Sequence, residues 1–278
     1  MKKPINLALQ GGGAHGAFTW GVLDALLEDG RLEIVGVSGT SAGAMNAVAM
    51  ADGFTRDGPD GARAALAHFW YHISEGARTN PLRRTPIDVL MGNWSLDHNP
   101  AYHALDALSR VASPYQLNPM NLNPLRDLLE ESIDFESVRR CSAFKLFISA
   151  TNVETGKVKV FPRHALTADM VMASACLPSL YQAVVIDGVP YWDGGYMGNP
   201  SLFPFHGRTR SDDIVVVQIN PVERTGIPRT PMEIQNRLNE ISFNGSLLKE
   251  LRAIEFVDRL IRQGKLSKDD YRQVKVHI

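Results

Sequence analysis

The sequence has little that is typical of a secreted, membrane-embedded or nucleic-acid-binding protein. Its 278 residues include two cysteines, Cys141 and Cys176, which cannot form a disulfide framework, so a reducing, cytoplasmic compartment is expected. No apolar run approaches the roughly 20 residues of a membrane-spanning helix. The 29 Lys and Arg residues balance 30 Asp and Glu residues. The resulting net charge of −1 lacks the basic excess typical of nucleic-acid-binding proteins.

No secretory signal is expected at the N-terminus. Met1-Lys2-Lys3-Pro4 resembles the charged start of a signal peptide, but only residues 5–9 form a mostly apolar run before Gln10. Because the hydrophobic region of a signal peptide has roughly 7–15 residues, export by that route is not expected. At the other end, residues 274–278 alternate like a strand and then stop, which leads to the hypothesis that the chain is truncated at Ile278.

What the sequence does contain is the pattern of an α/β protein. Hydrophobic residues make up 44% of it, which is sufficient for a substantial core. Residues 5–9 and 34–37 are short apolar runs typical of buried strands, whereas 18–27 and 44–51 have helical character. This alternation predicts a parallel sheet covered by helices.

Residues 53–143 differ in composition from the segments on either side. An alanine-rich helix is predicted at 61–73, and strand-like segments resume after the stretch, so we interpret it as an insertion into a single domain covering 1–278. Long segments of this kind usually have a function. We predict a lid or a pocket wall; the alternative is a surface excursion whose aromatic side chains pack onto the body. The prolines that punctuate it are Pro81, Pro86, Pro100, Pro114, Pro119 and Pro124.

Beyond the insertion, two β-hairpins are predicted at 144–161 and 184–192, followed by a central strand at 214–219. Residues 231–278 are predicted to form a helical C-terminal region, with an amphipathic helix over 232–263 that breaks or kinks at Asn244-Gly245. Its apolar stripe is expected to face the core, and a helix lying on a membrane is the alternative. The stripe consists of Ile234, Leu238, Ile241, Leu248, Leu251 and Leu260.

Gly39-Thr40-Ser41-Ala42-Gly43 has the G-x-S-x-G pattern of a nucleophile elbow. In this pattern the serine occupies a tight strand-to-helix turn, and the glycines let neighbouring backbone pass closely. The helix N-terminus also stabilises developing negative charge. Because a predicted strand precedes the pattern and a predicted helix follows it, we predict that Ser41 is a nucleophile. The alternative is a turn that serves close helix–strand packing.

The glycine-rich segment 11–16 has two interpretations. Its backbone N–H groups can form an oxyanion hole for an ester carbonyl. Alternatively, the spacing of Gly11, Gly13 and Gly16 matches the dinucleotide-binding fingerprint. That fingerprint requires an acidic residue at the end of the second strand, whereas Glu33 opens this strand and the serine elbow closes it. The oxyanion hole is therefore favoured.

A serine nucleophile needs a base, and no histidine is well placed in the sequence to provide it. Only His206 and His277 follow Asp193, and His206 lies in a segment typical of a turn. Asp193 ends the second predicted hairpin. It can accept the serine proton directly if burial raises its pKa above the usual value of about 3.9. Asp187 is the competing carboxylate, although its Asp-Gly turn has a sufficient structural explanation.

Taken in order, the motifs at 11–16, 39–43 and 193–195 resemble those of the patatin-like phospholipases, and the resemblance spans about residues 5–220. It implies a three-layer α/β/α sandwich around a mainly parallel sheet. It also implies calcium-independent hydrolysis of lipid acyl esters by a dyad of Ser41 as nucleophile and Asp193 as base. The implied oxyanion hole consists of the backbone amides of Gly11, Gly12, Gly13 and Ala14. Three further segments carry the resemblance: Ala150-Thr151-Asn152 with Thr155-Gly156, Ser174-Ala175-Cys176-Leu177-Pro178, and Asn199-Pro200.

Six further residues are expected to support these loops. His15 stands where the family usually has Arg or Lys, and it is charged only below about its unperturbed pKa of 6.5. A strong preference for anionic phospholipids is therefore not expected. We expect His15 to order the loop through a hydrogen bond and to take no proton in catalysis. The other supporting residues are glycines: Gly16, Gly39, Gly43, Gly194 and Gly195.

The predicted function is hydrolysis of a lipid acyl ester through an acyl-Ser41 intermediate. No cofactor is expected, and no metal, because the pair His68 and His72 lacks the glutamate of a zinc-protease motif. The same residues would suit a small-ester esterase, a thioesterase or a polyester depolymerase. A non-catalytic module that binds a nucleotide or phosphate with residues 11–16 is the alternative from another class. Expected partners are a lipid or acyl-ester substrate and a membrane contacted peripherally, but no nucleic acid.

Overall fold

The computed structural model describes residues 2–78, 99–109, 111–267 and 269–278. In this part of the chain the strands form one mixed sheet in the order β5-β6-β3-β2-β1-β7-β8, with β4 beside β3. Pairing is parallel among β1, β2, β3, β7 and β8, whereas β3 pairs antiparallel with β4 and β6, and β6 pairs antiparallel with β5. The strands are β1 (Lys3–Leu9), β2 (Leu32–Gly39), β3 (Lys145–Asn152), β4 (Val158–Pro162), β5 (Val184–Ile186), β6 (Val189–Asp193), β7 (Asp213–Val217) and β8 (Lys275–His277).

Helices cover both faces of this sheet. Leu7 and Leu9 of β1 pack in a core cluster with residues of the N-terminal helices, whereas Ala8 packs in a second cluster with Leu247. Alternate residues of a strand point to opposite faces, so the two clusters lie on opposite sides. The predicted α/β/α arrangement is confirmed. The helices are α1 (Gly16–Asp29), α2 (Ala42–Arg78), α3 (Pro100–Ser109), α4 (Pro114–Leu117), α5 (Pro124–Ser132), α6 (Phe135–Arg140), α7 (Ala168–Ser174) and α8 (Pro231–Arg262).

Strand β3 explains how two distant segments of the chain converge. Its residues Ala150 and Thr151 pair with both β4 and β6, so these two strands lie along opposite edges of β3. Because Ile148 pairs with both β2 and β4, β2 also lies opposite β4. β2 and β6 therefore share one edge of β3 and run towards each other. β2 ends at Gly39, which pairs with Ile148. β6 ends at Asp193, which pairs with Ala150 only two residues further along β3.

The stretch 53–143 contributes to the core where the structure describes it. Leu66 and Phe69 of α2 and Leu129 of α5 are fully buried in the main cluster. The helix predicted at 61–73 lies within α2, whose helical backbone is interrupted at Asp57 and Gly58. Pro81 and Pro86 lie outside the described residues. The assignment of this stretch as a lid, and of the chain as one domain, stays a prediction.

The C-terminal region differs from the sequence prediction. The break expected at Asn244-Gly245 is wrong, because α8 continues through both residues. A glycine inside a helix costs only about 1 kcal/mol, and the buried Asn244 side chain bonds to Gln10 and to the backbone carbonyl of Pro221. The amphipathic helix predicted over 232–263 is found as α8, which ends at Arg262. The strand-like residues 274–278 include β8, which pairs with β7.

The two halves of the apolar stripe of α8 also differ in their burial. Leu251 packs against the second core cluster, as expected. Ile234, Leu238 and Ile241, however, have exposed fractions of 44%, 53% and 54%, so the prediction that they face the core is wrong. Hydrophobic periodicity shows which residues share a helix face but not which face turns inward. In the described part of the chain, no helix is long and apolar enough to span a membrane.

Candidate active site

Ser41 occupies the tight turn between β2 and α2. Its φ of 54° is left-handed, a conformation that non-glycine residues rarely adopt. The flanking glycines are required by space. A Cβ on Gly39 would lie 2.6 Å from the Gly43 carbonyl oxygen, and one on Gly43 would collide with the Leu9 carbonyl. This is the elbow geometry that the sequence pattern predicts.

Asp193 lies at the end of β6 with its side chain almost completely buried. One carboxylate oxygen, Oδ1, accepts the Gly195 backbone N–H at 2.7 Å. The other, Oδ2, is buried and accepts no hydrogen bond from the described residues. The backbone of Asp193 is held by the Thr151 hydroxyl, which donates to its carbonyl at 2.8 Å. The next residue, Gly194, has no room for a Cβ because the Ser149 carbonyl lies against it. The carboxylate is therefore rigidly placed but incompletely hydrogen-bonded.

Ser41 and Asp193 line the same cavity, which has a volume of about 1110 Å³. Burial raises the pKa of Asp193 to about 7, whereas the Gly195 backbone N–H and the nearby Ser41 hydroxyl oppose this increase. The two side chains meet because β2 and β6 end facing each other along one edge of β3. A hydroxyl beside a carboxylate that titrates near neutral pH is suited to proton transfer between the two groups.

The glycine loop forms another wall of this cavity. Gly12, Gly13 and Ala14 line it, and their backbone N–H groups donate no hydrogen bond to the described residues. Gly11 is placed differently: its N–H donates to the Asn199 side-chain oxygen at 2.7 Å, and it does not line the cavity. A Cβ on Gly11 would lie 2.7 Å from the Cβ of Ser41, so this glycine lets the loop approach the serine.

The remaining supporting residues surround these groups. The exposed His15 places its Nδ1 atom 3.2 Å from the Gly12 carbonyl oxygen and does not line the cavity. A Cβ on Gly16 would lie 2.7 Å from the Cβ of Ala42, so this glycine allows the starts of α1 and α2 to pack closely. Gly195, besides its bond to Asp193, packs tightly against Phe243 of α8.

The competing candidates lie elsewhere. Asp187 occupies an exposed hairpin turn with a φ of 51°. His277 contacts Asp213 at 2.8 Å at the far edge of the sheet. His206 is exposed, and partial desolvation by surrounding atoms lowers its pKa. None of these three residues lines the cavity.

Sequence reasoning assigned no individual role to several residues that position the site. The Ser41 backbone N–H donates to the Ser174 hydroxyl at 2.9 Å, and this hydroxyl donates to the Ser149 carbonyl at 2.6 Å. Asn199, as described above, holds Gly11. These partners are 133 and 188 residues apart in sequence, so no local pattern reveals them. The only available signal was their place in segments that carry the family resemblance.

A buried amide network connects the glycine loop to α8. The Gln10 side-chain oxygen accepts the backbone N–H groups of Ile219 and Asn220, each at 2.8 Å. The Asn220 side chain donates to the Gly11 carbonyl at 2.6 Å, and the Gln10 side chain donates to Asn244 at 2.9 Å. The position of the loop is thus coupled to the position of the long helix.

The cavity has walls of two kinds. One wall is apolar, and the other is formed by amide and carboxylate side chains of α8. Among the described residues that line it, none is Lys or Arg. The apolar wall includes Met45, Phe69, Trp70, Ile73, Leu125 and Leu177, and the α8 wall includes Gln235, Asn236, Asn239 and Glu240.

The similarities to solved structures are distant. A comparison with curated protein sequences finds no significant match. Among solved structures, VipD from Legionella pneumophila has a TM-score of 0.41 and 17% identity, over 91% of this chain and 56% of that chain. ExoU, in its complex with SpcU from the type III secretion system of Pseudomonas aeruginosa, has a TM-score of 0.38 and 19% identity, over 90% and 53%. The chain thus spans about half the length of these structures.

The family comparison covers the candidate active site. The sequence profile of the family described as Patatin-like phospholipase matches residues 7–206, a span that includes the glycine loop, Ser41 and Asp193. The chain therefore belongs to the patatin-like phospholipase family and has its fold, and this membership supports lipid hydrolase activity in general.

Proposed function

We propose that this protein hydrolyses lipid acyl esters, with Ser41 as the nucleophile and Asp193 as its base. The observation that carries the proposal is the convergence of Ser41 and a buried carboxylate in one cavity, beside three backbone N–H groups without partners in the described structure. Membership of the family supports the general reaction, and the arrangement of these groups supports the mechanism.

The first step is proton transfer from the Ser41 hydroxyl to Asp193. A carboxylate with an ordinary pKa is a weak base, whereas one with a pKa of about 7 is about half ionised at neutral pH and is a far stronger base. The serine oxygen attacks the ester carbonyl and forms a tetrahedral intermediate. Its negative oxygen faces the N–H groups of Gly12, Gly13 and Ala14, with further stabilisation from the N-terminus of α2.

The second half of the reaction reverses the direction of the proton. Protonated Asp193 gives its proton to the leaving alcohol, and the intermediate collapses to an acyl-Ser41 ester. A water molecule then attacks this ester while Asp193 accepts its proton. The free fatty acid leaves, and Ser41 regains its hydroxyl hydrogen.

The walls of the cavity support a substrate with a long acyl chain. The apolar wall from Met45 to Leu125 suits an acyl chain, because burial of each CH₂ group contributes about 0.8 kcal/mol. The amide side chains of α8 suit the polar part of the ester. Small-ester, thioester and polyester hydrolysis use the same dyad, and a substrate panel distinguishes them by kcat/KM.

The test of the dyad is covalent labelling with a fluorophosphonate, followed by peptide mapping. We expect an adduct on Ser41, none in Ser41→Ala, and strongly reduced labelling in Asp193→Asn. Asp187→Asn is the matched control, because this carboxylate lies outside the cavity, and it should be labelled like the wild type. A folded protein that stays unlabelled but is thermally stabilised by nucleotides would contradict the proposal and favour the binding module.

A further inference from the structure

Helix α8 exposes apolar side chains to solvent along its first three turns. The side that lines the cavity is mixed, with the polar residues Gln235, Asn236, Asn239 and Glu240 and the apolar residues Pro231, Met232 and Phe243. Ile234, Leu238 and Ile241 are spaced by four and three residues, so they share one face of the helix. With 3.6 residues per turn, the centre of this face lies roughly 150° around the axis from the centre of the cavity side. An apolar side of the helix therefore faces solvent, and a mixed polar and apolar side faces the cavity.

The exposed apolar surface of this stripe is larger than the surface of a single scattered side chain. Isolated exposed apolar residues are normal on a protein surface, but a same-face stripe indicates a surface that has a partner. The stripe residues are 44% to 54% exposed, and Ile227, in the loop just before the helix, is 79% exposed. Residues of the same helix further along, such as Leu247 and Ile261, are buried. Phe256, further along, is 51% exposed, but the stripe of neighbouring apolar residues lies at the end of α8 that walls the cavity.

The charged groups beside the stripe largely neutralise one another. Glu240 forms ion pairs with Arg224 at 2.8 Å and with Arg237 at 3.0 Å. Glu233 accepts the backbone N–H groups of Arg229 and Thr230 and so caps the helix. A surface with this composition fits an apolar partner that carries no strong net charge, and electrostatic attraction to an anionic surface does not explain it.

We propose that the stripe Ile234, Leu238 and Ile241, together with Ile227, docks the protein onto a zwitterionic lipid surface beside the cavity mouth. The inference rests on the proposed function, because the substrate of the cavity would come from that surface. The two sides of this helix then have different contacts. Its amide side chains contact the polar part of the ester, and its exposed apolar stripe inserts between lipid headgroups. An interfacial helix binds a membrane through this kind of apolar face.

The test compares vesicle binding and catalysis in matched variants. The stripe variant carries Ile234→Gln, Leu238→Gln and Ile241→Gln, because glutamine keeps helix propensity and the three side chains are exposed. Leu238→Gln alone is compared with Phe256→Gln, since Phe256 is on the same helix and is 51% exposed, against 53% for Leu238. Binding to phosphatidylcholine vesicles is measured by flotation at about 0.1 and 0.5 M NaCl. Circular dichroism and thermal melting verify that each variant is folded.

We expect the wild type and Phe256→Gln to bind the vesicles to the same extent at both salt concentrations. The stripe variant should bind the vesicles at least about tenfold more weakly than the wild type. It should lose hydrolysis of vesicle lipid in proportion but keep the wild-type kcat/KM on a soluble short-chain ester. Absence of any ester hydrolysis by the wild type would refute the proposed function, independently of vesicle binding.

Other results would overturn the docking inference. These are equal vesicle binding by the wild type and the stripe variant, no binding by the wild type, or binding only to anionic vesicles that salt reverses. A concentration-dependent dimer in analytical ultracentrifugation that the stripe variant abolishes would assign the surface to a second copy of the chain instead.

Discussion

The Ser174 hydroxyl accepts the backbone N–H of Ser41 at 2.9 Å, and thereby holds a residue whose φ of 54° is strained. The same hydroxyl donates to the Ser149 carbonyl at 2.6 Å. This places Ser174 between the elbow and strand β3, which carries the pairing that brings Asp193 to the elbow. The Ser174 side chain thus fixes the proposed nucleophile relative to its proposed base.

Removal of this hydroxyl should impair turnover more than binding. In Ser174→Ala the Ser41 N–H loses its acceptor, and we expect kcat to fall about 10- to 100-fold with KM little changed, because the nucleophile is misplaced. Ser149→Ala is the control, since its hydroxyl contacts Ser201 and its backbone carbonyl stays in place. Steady-state kinetics on a soluble ester measure both. Equal kcat in Ser174→Ala and the wild type would contradict the positioning role.

The activity should depend on pH through Asp193. Because burial raises its pKa to about 7, the base is protonated and inactive at acidic pH. We expect kcat/KM to rise with pH and to level off above an inflection near 7. A profile measured from acid to mildly alkaline pH on a soluble ester tests this. A flat profile between about pH 5 and 8 would mean that a carboxylate with an ordinary pKa near 3.9 is the base.

The same buried carboxylate should reduce stability at neutral pH. A folded-state pKa above the unfolded value contributes stability below about pH 4, and this contribution disappears as pH rises through about 7. An asparagine side chain at this position carries no charge at any pH. We therefore expect Asp193→Asn to exceed the wild type in the free energy of unfolding by about 1–4 kcal/mol at pH 8, with a smaller difference at pH 4.

Urea denaturation at the two pH values measures this difference. Asp187→Asn is again the matched control and should show little change at either pH, because Asp187 is exposed. A difference for Asp193→Asn that is equal at both pH values would show that the effect comes from packing and not from the buried charge.

Two glycine-to-alanine substitutions should change the stability of the protein in opposite directions. In Gly43→Ala the new Cβ would collide with the Leu9 and Gln10 backbone, so we expect destabilisation of about 1–3 kcal/mol and loss of activity. In Gly245→Ala the Cβ meets nothing within 4 Å inside α8. Helix propensity then predicts stabilisation of about 0.5–1 kcal/mol with activity unchanged. Thermal melting of both variants tests the pair, and a Gly43→Ala protein as stable as the wild type would contradict the packing argument.

Much of the site could be predicted because its chemistry is encoded by short segments. The elbow around Ser41 depends on glycines two residues on either side, and the hairpin that ends at Asp193 depends on an Asp-Gly turn and local alternation. Backbone conformations of this kind follow from the residues themselves. For this reason the structure places Ser41 and Asp193 in one cavity, as the order of the motifs implied.

The hydrogen-bond partner of each backbone N–H in the glycine loop could not be predicted in the same way. Gly11 was grouped with Gly12, Gly13 and Ala14 because all four belong to one glycine-rich loop. In the structure, the Gly11 N–H donates a hydrogen bond to the side chain of Asn199, which is 188 residues away, and only Gly12, Gly13 and Ala14 line the cavity. A sequence pattern places a loop but does not show which distant side chain will satisfy each donor.

The sequence by itself determined the elbow around Ser41, the hairpin that ends at Asp193 and the residues that we propose as catalytic, because turns, caps and hydrophobic periodicity act over a few residues. Only the tertiary structure decided which face of α8 turns inward, that Asn244-Gly245 stays helical, and how far burial raises the pKa of Asp193. These properties depend on neighbours that are distant in the chain. Desolvation, packing and long-range hydrogen bonds are set by those neighbours, and no local segment contains them.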